Sequence, residues 1–191
     1  MSEGREQVAE LLIKSVNALS ALGDRADDIA RVAEAVVAAL SGGGTLLLCG
    51  NGGSAALCQH IAAELTGRYK LERRGLRAIA LTTDTSALTA IGNDYGFEEV
   101  FARQLEALGR PSDVLIGLST SGRSQNVVRA FKKAKEIGLV TVAVVGPQGG
   151  PLADVADVCL AAPGDSTANV QECHLAALHV ICDLVERRLA T

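Results

Sequence analysis

At 191 residues the chain is long enough for one domain with a substantial core, and 48% hydrophobic content with 3% aromatics and no Trp makes that core aliphatic. Lys and Arg number 18 against 22 Asp and Glu, a formal charge of −4 with no basic block, which argues against nucleic acid as a partner. The opening Met-Ser-Glu-Gly-Arg-Glu is charged and no apolar run approaches the ~20 residues of a membrane span, so the expectation is a soluble, cytoplasmic protein with no membrane partner.

In chain order, helical spacing predicts Arg5–Leu22 and Asp24–Leu40, parted at Gly23 and stopped by Gly42-Gly43-Gly44. Strand Thr45–Cys49 then runs through Gly-Asn-Gly-Gly-Ser into helix Ser54–Thr66. Strand Ala78–Thr82 precedes a short helix near Ser86–Ile91 and another over Phe97–Leu108. Strand Asp113–Leu118 leads through a hydroxyl-rich loop into helix Gln125–Ile137. Strand Val140–Val145, a short segment Leu152–Val155, strand Val158–Leu160 and a long helix Ala168–Leu189 complete the pattern. Five short strands alternating with helices predict an α/β fold: a five-stranded parallel sheet, flavodoxin-like, with helices on both faces. The expected organisation is a single domain over 1–191, with N-terminal helices in 1–41 and the α/β core in 42–191. Five cysteines without a C-x-x-C pair read as free thiols in a reducing compartment.

In such a sheet, ligands bind beyond the carboxyl ends of the strands. The loop Gly50-Asn51-Gly52-Gly53-Ser54 lets backbone approach a ligand at a helix N-terminus. Gly50-x-Gly52-x-x-Ala55 also matches the dinucleotide fingerprint, but the nearest strand-end acid, Asp84, comes too late and no Walker lysine follows. A plain tight turn recruits the same residues. The second loop says more. Ser119, Thr120, Ser121 and Ser124 surround Gly122, and hydroxyls with backbone amides can hold a phosphate, whereas one helix cap needs one hydroxyl. Arg123 either adds charge there or faces solvent.

Among the ionisable residues, His60 and Glu64 stand four apart on one helical face. Gln171 and His179 stand two turns apart on the last helix, with His179 in an apolar setting that disfavours its charged form. Histidine with carboxylate is ligand chemistry for zinc or another divalent ion. The competing readings are a surface His60–Glu64 pair and a His179 fixed by Asp183; His174 falls on a different face.

Three segments, "CGNGGSAALCQHIAAELTGRY", "AIGNDYGFEEVFARQLEALGRPSDVLIGLSTSGRS" and "VQECHLAALHVICDLVE", together resemble the phosphoheptose (sedoheptulose 7-phosphate) isomerases of the sugar isomerase (SIS) domain superfamily, over nearly the whole chain. The resemblance implies a homotetramer with active sites between subunits and the leading helices used in assembly. It implies conversion of sedoheptulose 7-phosphate to D-glycero-D-manno-heptose 7-phosphate, a phosphorylated seven-carbon sugar. By motif, Ser119, Thr120, Ser121 and Ser124 would hold the phosphate, and Asn51, Gly52, Gly53, Ser54, Asn93 and Asp94 would line the sugar site. Glu64 and His179 would be the acid–base pair, and His60, Glu64, Gln171 and His179 the zinc ligands, with Glu64 and Gln171 also facing substrate. An enediol route suits these residue types, since a carboxylate can take the carbon proton and a neutral imidazole can serve the oxygens; a hydride shift reaches the same product. Three positions depart from the usual pattern: Leu57 stands where many relatives carry Asp, Arg123 replaces Asn, and Asn169 replaces Arg. The alternative functions are a non-catalytic scaffold similar to the DnaA initiator-associating protein and a sugar-phosphate-sensing module. Retention of His60 and His179 favours the enzyme.

Overall fold

The computed structural model describes residues 2–190; Met1 and Thr191, the ends of the expected domain span, lie outside the described residues. Two helices lead, α1 (Ser2–Ala21) and α2 (Ala26–Ser41), joined by a 3-10 turn over Leu22–Arg25 in which Leu22 is buried. The α/β part follows as β1 (Leu46–Gly50), α3 (Gly53–Thr66), β2 (Ala78–Ala80), α4 (Thr85–Tyr95) and α5 (Ala102–Leu108). It continues with β3 (Val114–Ser119), α6 (Gln125–Ile137), β4 (Val140–Val145), α7 (Gly150–Val155), β5 (Val158–Ala161) and α8 (Thr167–Leu189).

Among the described residues the five strands form one sheet in the order β2-β1-β3-β4-β5, every neighbouring pair parallel. This is the expected flavodoxin-like arrangement, and helices cover both faces. Because both faces are covered, β1 and β3 are buried along their whole length and read as unbroken apolar runs rather than alternating ones. Alternate residues still divide between two cores. Leu46, Leu48, Val114 and Ile116 meet α2, α3 and α8, whereas Leu47, Cys49 and Leu115 meet α5, α6 and α7. Chain direction across the sheet reverses between β1 and β3, so their carboxyl ends open the crevice where ligands bind in this topology.

Several boundaries differ from expectation. The single helix expected over Phe97–Leu108 is a 3-10 turn, Phe97–Glu99, followed by α5. Arg129 of α6 pairs with Glu98 and Glu99 of that turn. Helix α4 outruns its expected Ser86–Ile91 because Asp84 caps its start through Ala87 N (2.9 Å) and Gly96, at φ 96°, stops it. Asp84 therefore serves a helix end. The edge strand β2 is shorter than the expected Ala78–Thr82, although Leu81 N still donates to Leu48 O. Cys49, Cys58, Cys173 and Cys182 are buried, Cys159 is half-buried, and all five are free. Among the described residues no helix is long and apolar enough to cross a membrane.

Candidate active site

At the end of β1 the chain turns through Asn51 and Gly52 into α3. Asn51 O accepts the amides of Ser54 (2.9 Å) and Ala55 (3.3 Å), which starts the helix directly after the strand. Gly53 is needed for close approach: a Cβ there would stand 2.6 Å from Gln171 Oε1, so the Gln171 amide lies against the loop backbone. Ser54 is buried beneath the turn. The Asn51 side chain faces Asn126, the second residue of α6, in a reciprocal pair of amide hydrogen bonds of 2.9 and 2.8 Å. Asn126 carries no motif, and sequence reading missed it.

The loop after β3 is a tight turn in which Gly122 N donates to Ser119 O (3.0 Å). Gly122 sits at φ 64°, and a Cβ there would collide with Gly149 O. Leu152 N donates to Gly122 O and Gly146 N to Thr120 O, so the Gly146–Gly150 turn braces this loop from behind. That brace is a second feature the sequence reading missed, although paired glycines at 149 and 150 hinted at close backbone contact. Ser124 occupies the N-cap position of α6 but makes no side-chain cap; its Oγ lies 3.0 Å from Ser119 Oγ. Ser121 Oγ accepts from Arg123 N (3.2 Å), and the Arg123 side chain is exposed. Capping therefore accounts for none of these hydroxyls at α6, and they cluster where backbone amides start a helix, a setting suited to an anion. A cavity of about 240 Å³ adjoins them, lined by Thr120, Ser121, Gln148, Asp165, Ser166 and Thr167.

The ionisable cluster hangs from two helices. His60 and Glu64 project from α3 one turn apart, and His179 reaches them from α8. His60 Nε2 lies 2.8 Å from His179 Nε2 and 3.5 Å from Glu64 Oε1. One ligand atom from each of the three lies within 4.8 Å of the others. Burial and the neighbouring His60 hold the His179 pKa below its ordinary value; Glu64 opposes them and Lys70 assists. Imidazole nitrogens that face each other need a shared proton or a shared cation between them. Around tetrahedral zinc, with Zn–N near 2.0–2.1 Å, two such nitrogens stand about 3.3 Å apart. The nitrogen, nitrogen and carboxylate donors thus fit a divalent ion after a small movement. Tyr69 leans over His179, ring centres 5.6 Å apart. Asp183 does not fix His179 as one expectation had it; it binds Lys70 (3.2 Å) and Arg187 (2.6 Å). His174, on its different face, is fully buried against Val145 O (3.0 Å).

The cluster has a buried charged support. Glu186 of α8, 1% exposed, accepts from the successive amides of Tyr69, Lys70 and Leu71 at 2.9, 2.7 and 2.8 Å. Arg73, whose side chain is 2% exposed, stands with Nε 3.1 Å from Glu186 Oε1 as an ion pair. Its other nitrogens donate to Glu64 O (3.0 Å), Leu65 O (2.9 Å) and Gly67 O (3.1 Å), closing the C-terminus of α3. Burial pushes the Glu186 carboxyl up, but the three amides and Arg73 together hold it below the ordinary range. One ion pair thus ties the helix carrying His60 and Glu64 to the helix carrying His179.

Other predicted positions lie apart from these contacts. Asn93 and Asp94 are exposed near the end of α4, and Asn93 Nδ2 donates to Asp94 Oδ1 (2.8 Å). Leu57 packs against the core instead of presenting a polar group. Asn169 is buried, donating to Ser15 Oγ (3.1 Å) and Glu172 Oε2 (3.2 Å), and so tethers α1 to the start of α8.

Comparison with known proteins agrees with this fold. The SIS domain family matches residues 12–146. A phosphoheptose isomerase of Akkermansia muciniphila is 50% identical over 184 residues, 96% of this chain and 97% of that one. The solved phosphoheptose isomerase of Neisseria gonorrhoeae superposes with a TM-score of 0.90 at 45% identity, covering 96% of this chain and 98% of that chain. That of Francisella tularensis superposes with a TM-score of 0.93 at 36% identity, with the same coverage.

Proposed function

The chain belongs to the SIS domain family and, within it, to the phosphoheptose isomerases, and from that premise we propose that it interconverts sedoheptulose 7-phosphate and D-glycero-D-manno-heptose 7-phosphate by proton transfer. The observation that carries the reading is a site with two ends: uncharged hydroxyls at one strand end, and a carboxylate with an imidazole kept neutral on helices beside it. Ser119, Thr120, Ser121 and Ser124 take the phosphate. Asn51, Gly52, Gly53, Ser54, Asn93, Asp94 and Gln171 line the sugar.

In the ketose-to-aldose direction, the Glu64 carboxylate removes a proton from C1 while the C2 carbonyl oxygen takes one from solvent water, giving the enediol. His179, neutral at working pH because of its lowered pKa, then accepts the O1 proton and passes it to solvent, while Glu64, its own proton exchanged with solvent, delivers one to C2. A divalent ion, zinc in this reading, held by His60, Glu64, Gln171 and His179, supplies Lewis-acid stabilisation of negative charge on the sugar oxygens when bound. The two carboxylate oxygens of Glu64 allow one to ligate and the other to take the proton.

The same reading makes 1–191 one domain acting as a homotetramer in the cytoplasm. Val8, Leu11, Leu12, Ile13 and Val16 of α1 are each more than half exposed, as a helix awaiting another copy would be. An apolar groove of about 340 Å³ between α2 and α8, including Ala33, Val37 and Leu184, is available to such a contact. Free buried thiols suit a reducing compartment.

The test is incubation with sedoheptulose 7-phosphate in D₂O, with and without zinc, followed by NMR. Appearance of the aldose with deuterium at C2 is expected. No conversion in either condition defeats the assignment, and conversion without deuterium replaces proton transfer by a hydride shift.

A further inference from the structure

We propose that Asn126 is a positioning residue for the isomerisation: through its reciprocal pair with Asn51 it fixes the separation between the phosphate-holding loop and the helix that bears the acid–base residues. The inference rests on the isomerase reading above and adds a residue to it.

Asn126 is 3% exposed, and both polar atoms of its amide are hydrogen-bonded within the protein. Its Nδ2 donates to Asn51 Oδ1 (2.8 Å), and its Oδ1 accepts both Asn51 Nδ2 (2.9 Å) and Val127 N (3.0 Å). Asn51 follows β1 directly and Asn126 lies in the first turn of α6, so the pair joins the two loops that flank the crevice between β1 and β3. What each one anchors decides the consequence. Asn51 O starts α3, which carries His60 and Glu64, and two residues on, Gly53 receives the Gln171 amide. Asn126 stands two residues after Ser124, in the first turn of the helix that leaves the hydroxyl loop. An amide offers one acceptor oxygen and two donor hydrogens, so a reciprocal pair sets both distance and orientation, which an apolar contact of equal volume would not. A substrate gripped at its phosphate reaches the carboxylate only if that separation is held, and displacement by about 1 Å costs rate rather than affinity.

The experiment compares Asn126→Ala, Asn51→Ala and the double variant, with kcat and KM for sedoheptulose 7-phosphate and the Ki of inorganic phosphate as the anion probe. Circular dichroism and Tm give the folded fraction, to which kcat is normalised. Asn126→Ala is expected to lose roughly tenfold or more in kcat, with the phosphate Ki unchanged to about twofold because the loop hydroxyls remain. The double variant should be no slower than the slower single variant, since both break one interaction. Should Asn126→Ala fail to fold, Asn126→Asp keeps the acceptor, removes the donor and carries the same expectation for kcat. Turnover within about twofold of wild type per folded site, or losses in the two single variants that multiply in the double, overturns the inference alone. A wild-type protein that does not isomerise overturns the reading beneath it as well.

Discussion

The two ends of the proposed site are built by opposite means. The phosphate end is uncharged: hydroxyls and amides at a strand terminus, braced by a glycine turn that admits no Cβ. The acid–base end is borne on α3 and α8, which share one apolar core and are tied further by a buried ion pair with three backbone amides around its carboxylate. Strand ends in a parallel sheet are fixed by the ladder, so the first end needs only a turn of the right shape. Helix termini have orphan carbonyls and no ladder, and Arg73 supplies donors to those of α3. The contrast predicts that damage at the acid–base end costs rate or stability, and damage at the phosphate end costs affinity.

The largest expected effect is Glu64→Gln. An amide cannot take the carbon proton, so kcat should fall by about 10³-fold or more, while folding and the Ki of inorganic phosphate stay at wild-type values. Turnover near wild type, followed by NMR of the two heptose phosphates, would remove Glu64 as the base and leave the comparison without its chemical half.

Next is Glu186→Ala, which leaves Arg73 buried without its counter-charge. Loss of one partner of a buried pair costs about 3–5 kcal/mol, and at about 2–4 °C per kcal/mol for a chain of this size the Tm should drop by roughly 10 °C. Calorimetry at matched protein concentration checks it. A drop under about 2 °C would show that the helices are held by other contacts.

These two ends also differed in how far sequence could reach them. His60 with Glu64, and the run from Ser119 to Ser124, declare themselves by spacing and by composition, because neighbours along one element stay neighbours in space. The sheet order was legible for a related reason: five apolar runs alternating with helices leave few parallel arrangements. Arg73 and Glu186 are 113 positions apart by numbering, and Asn51 and Asn126 are 75 apart. Each looks like an ordinary surface or turn residue until the fold brings its partner. The meeting of His60 with His179 could be expected only through resemblance, and Asp183 beside His179 along the helix was the misleading local choice. Asn169 likewise reads as a lost charge in sequence and proves to be a tether to Ser15.

Ser121→Ala sharpens the phosphate side. Its hydroxyl is exposed and engages only its own loop, accepting from Arg123 N, so removal should barely move stability. Loss of one hydrogen bond to a charged oxygen, about 1.5 kcal/mol or more, should raise KM roughly tenfold while kcat changes by less than about twofold. A variant whose kcat falls instead, at unchanged KM, would contradict the division of labour between the two ends.

The smallest effect concerns His174, buried on α8 against the end of β4. It packs against Val145, two positions before the brace turn's Pro147, and Val145 O also accepts from Ala162 N at 2.8 Å. Burial lowers its pKa, with the carbonyl bond opposing, and its Nδ1 has no hydrogen-bond partner among the described residues. A histidine whose folded pKa lies below its unfolded value leaves stability unaffected above the unfolded pKa, near 6.5. As pH falls through that value the unfolded chain binds the proton first, so stability is lost toward acid, by at most about 1.4 kcal/mol per pH unit. His179 shifts in the same direction and contributes alongside it. His174→Gln keeps a donor for the carbonyl and removes the titration, so Tm measured from pH 7.5 to 5.5 should decline less steeply than in wild type, with the His179 share remaining. Carboxylates held low, such as Glu186, release their stability only below about pH 4.5 and leave this window clear. Parallel Tm curves for the two proteins would mean that His174 takes up its proton in the folded state as readily as in the unfolded one, and that its burial against β4 exerts no control on acid stability.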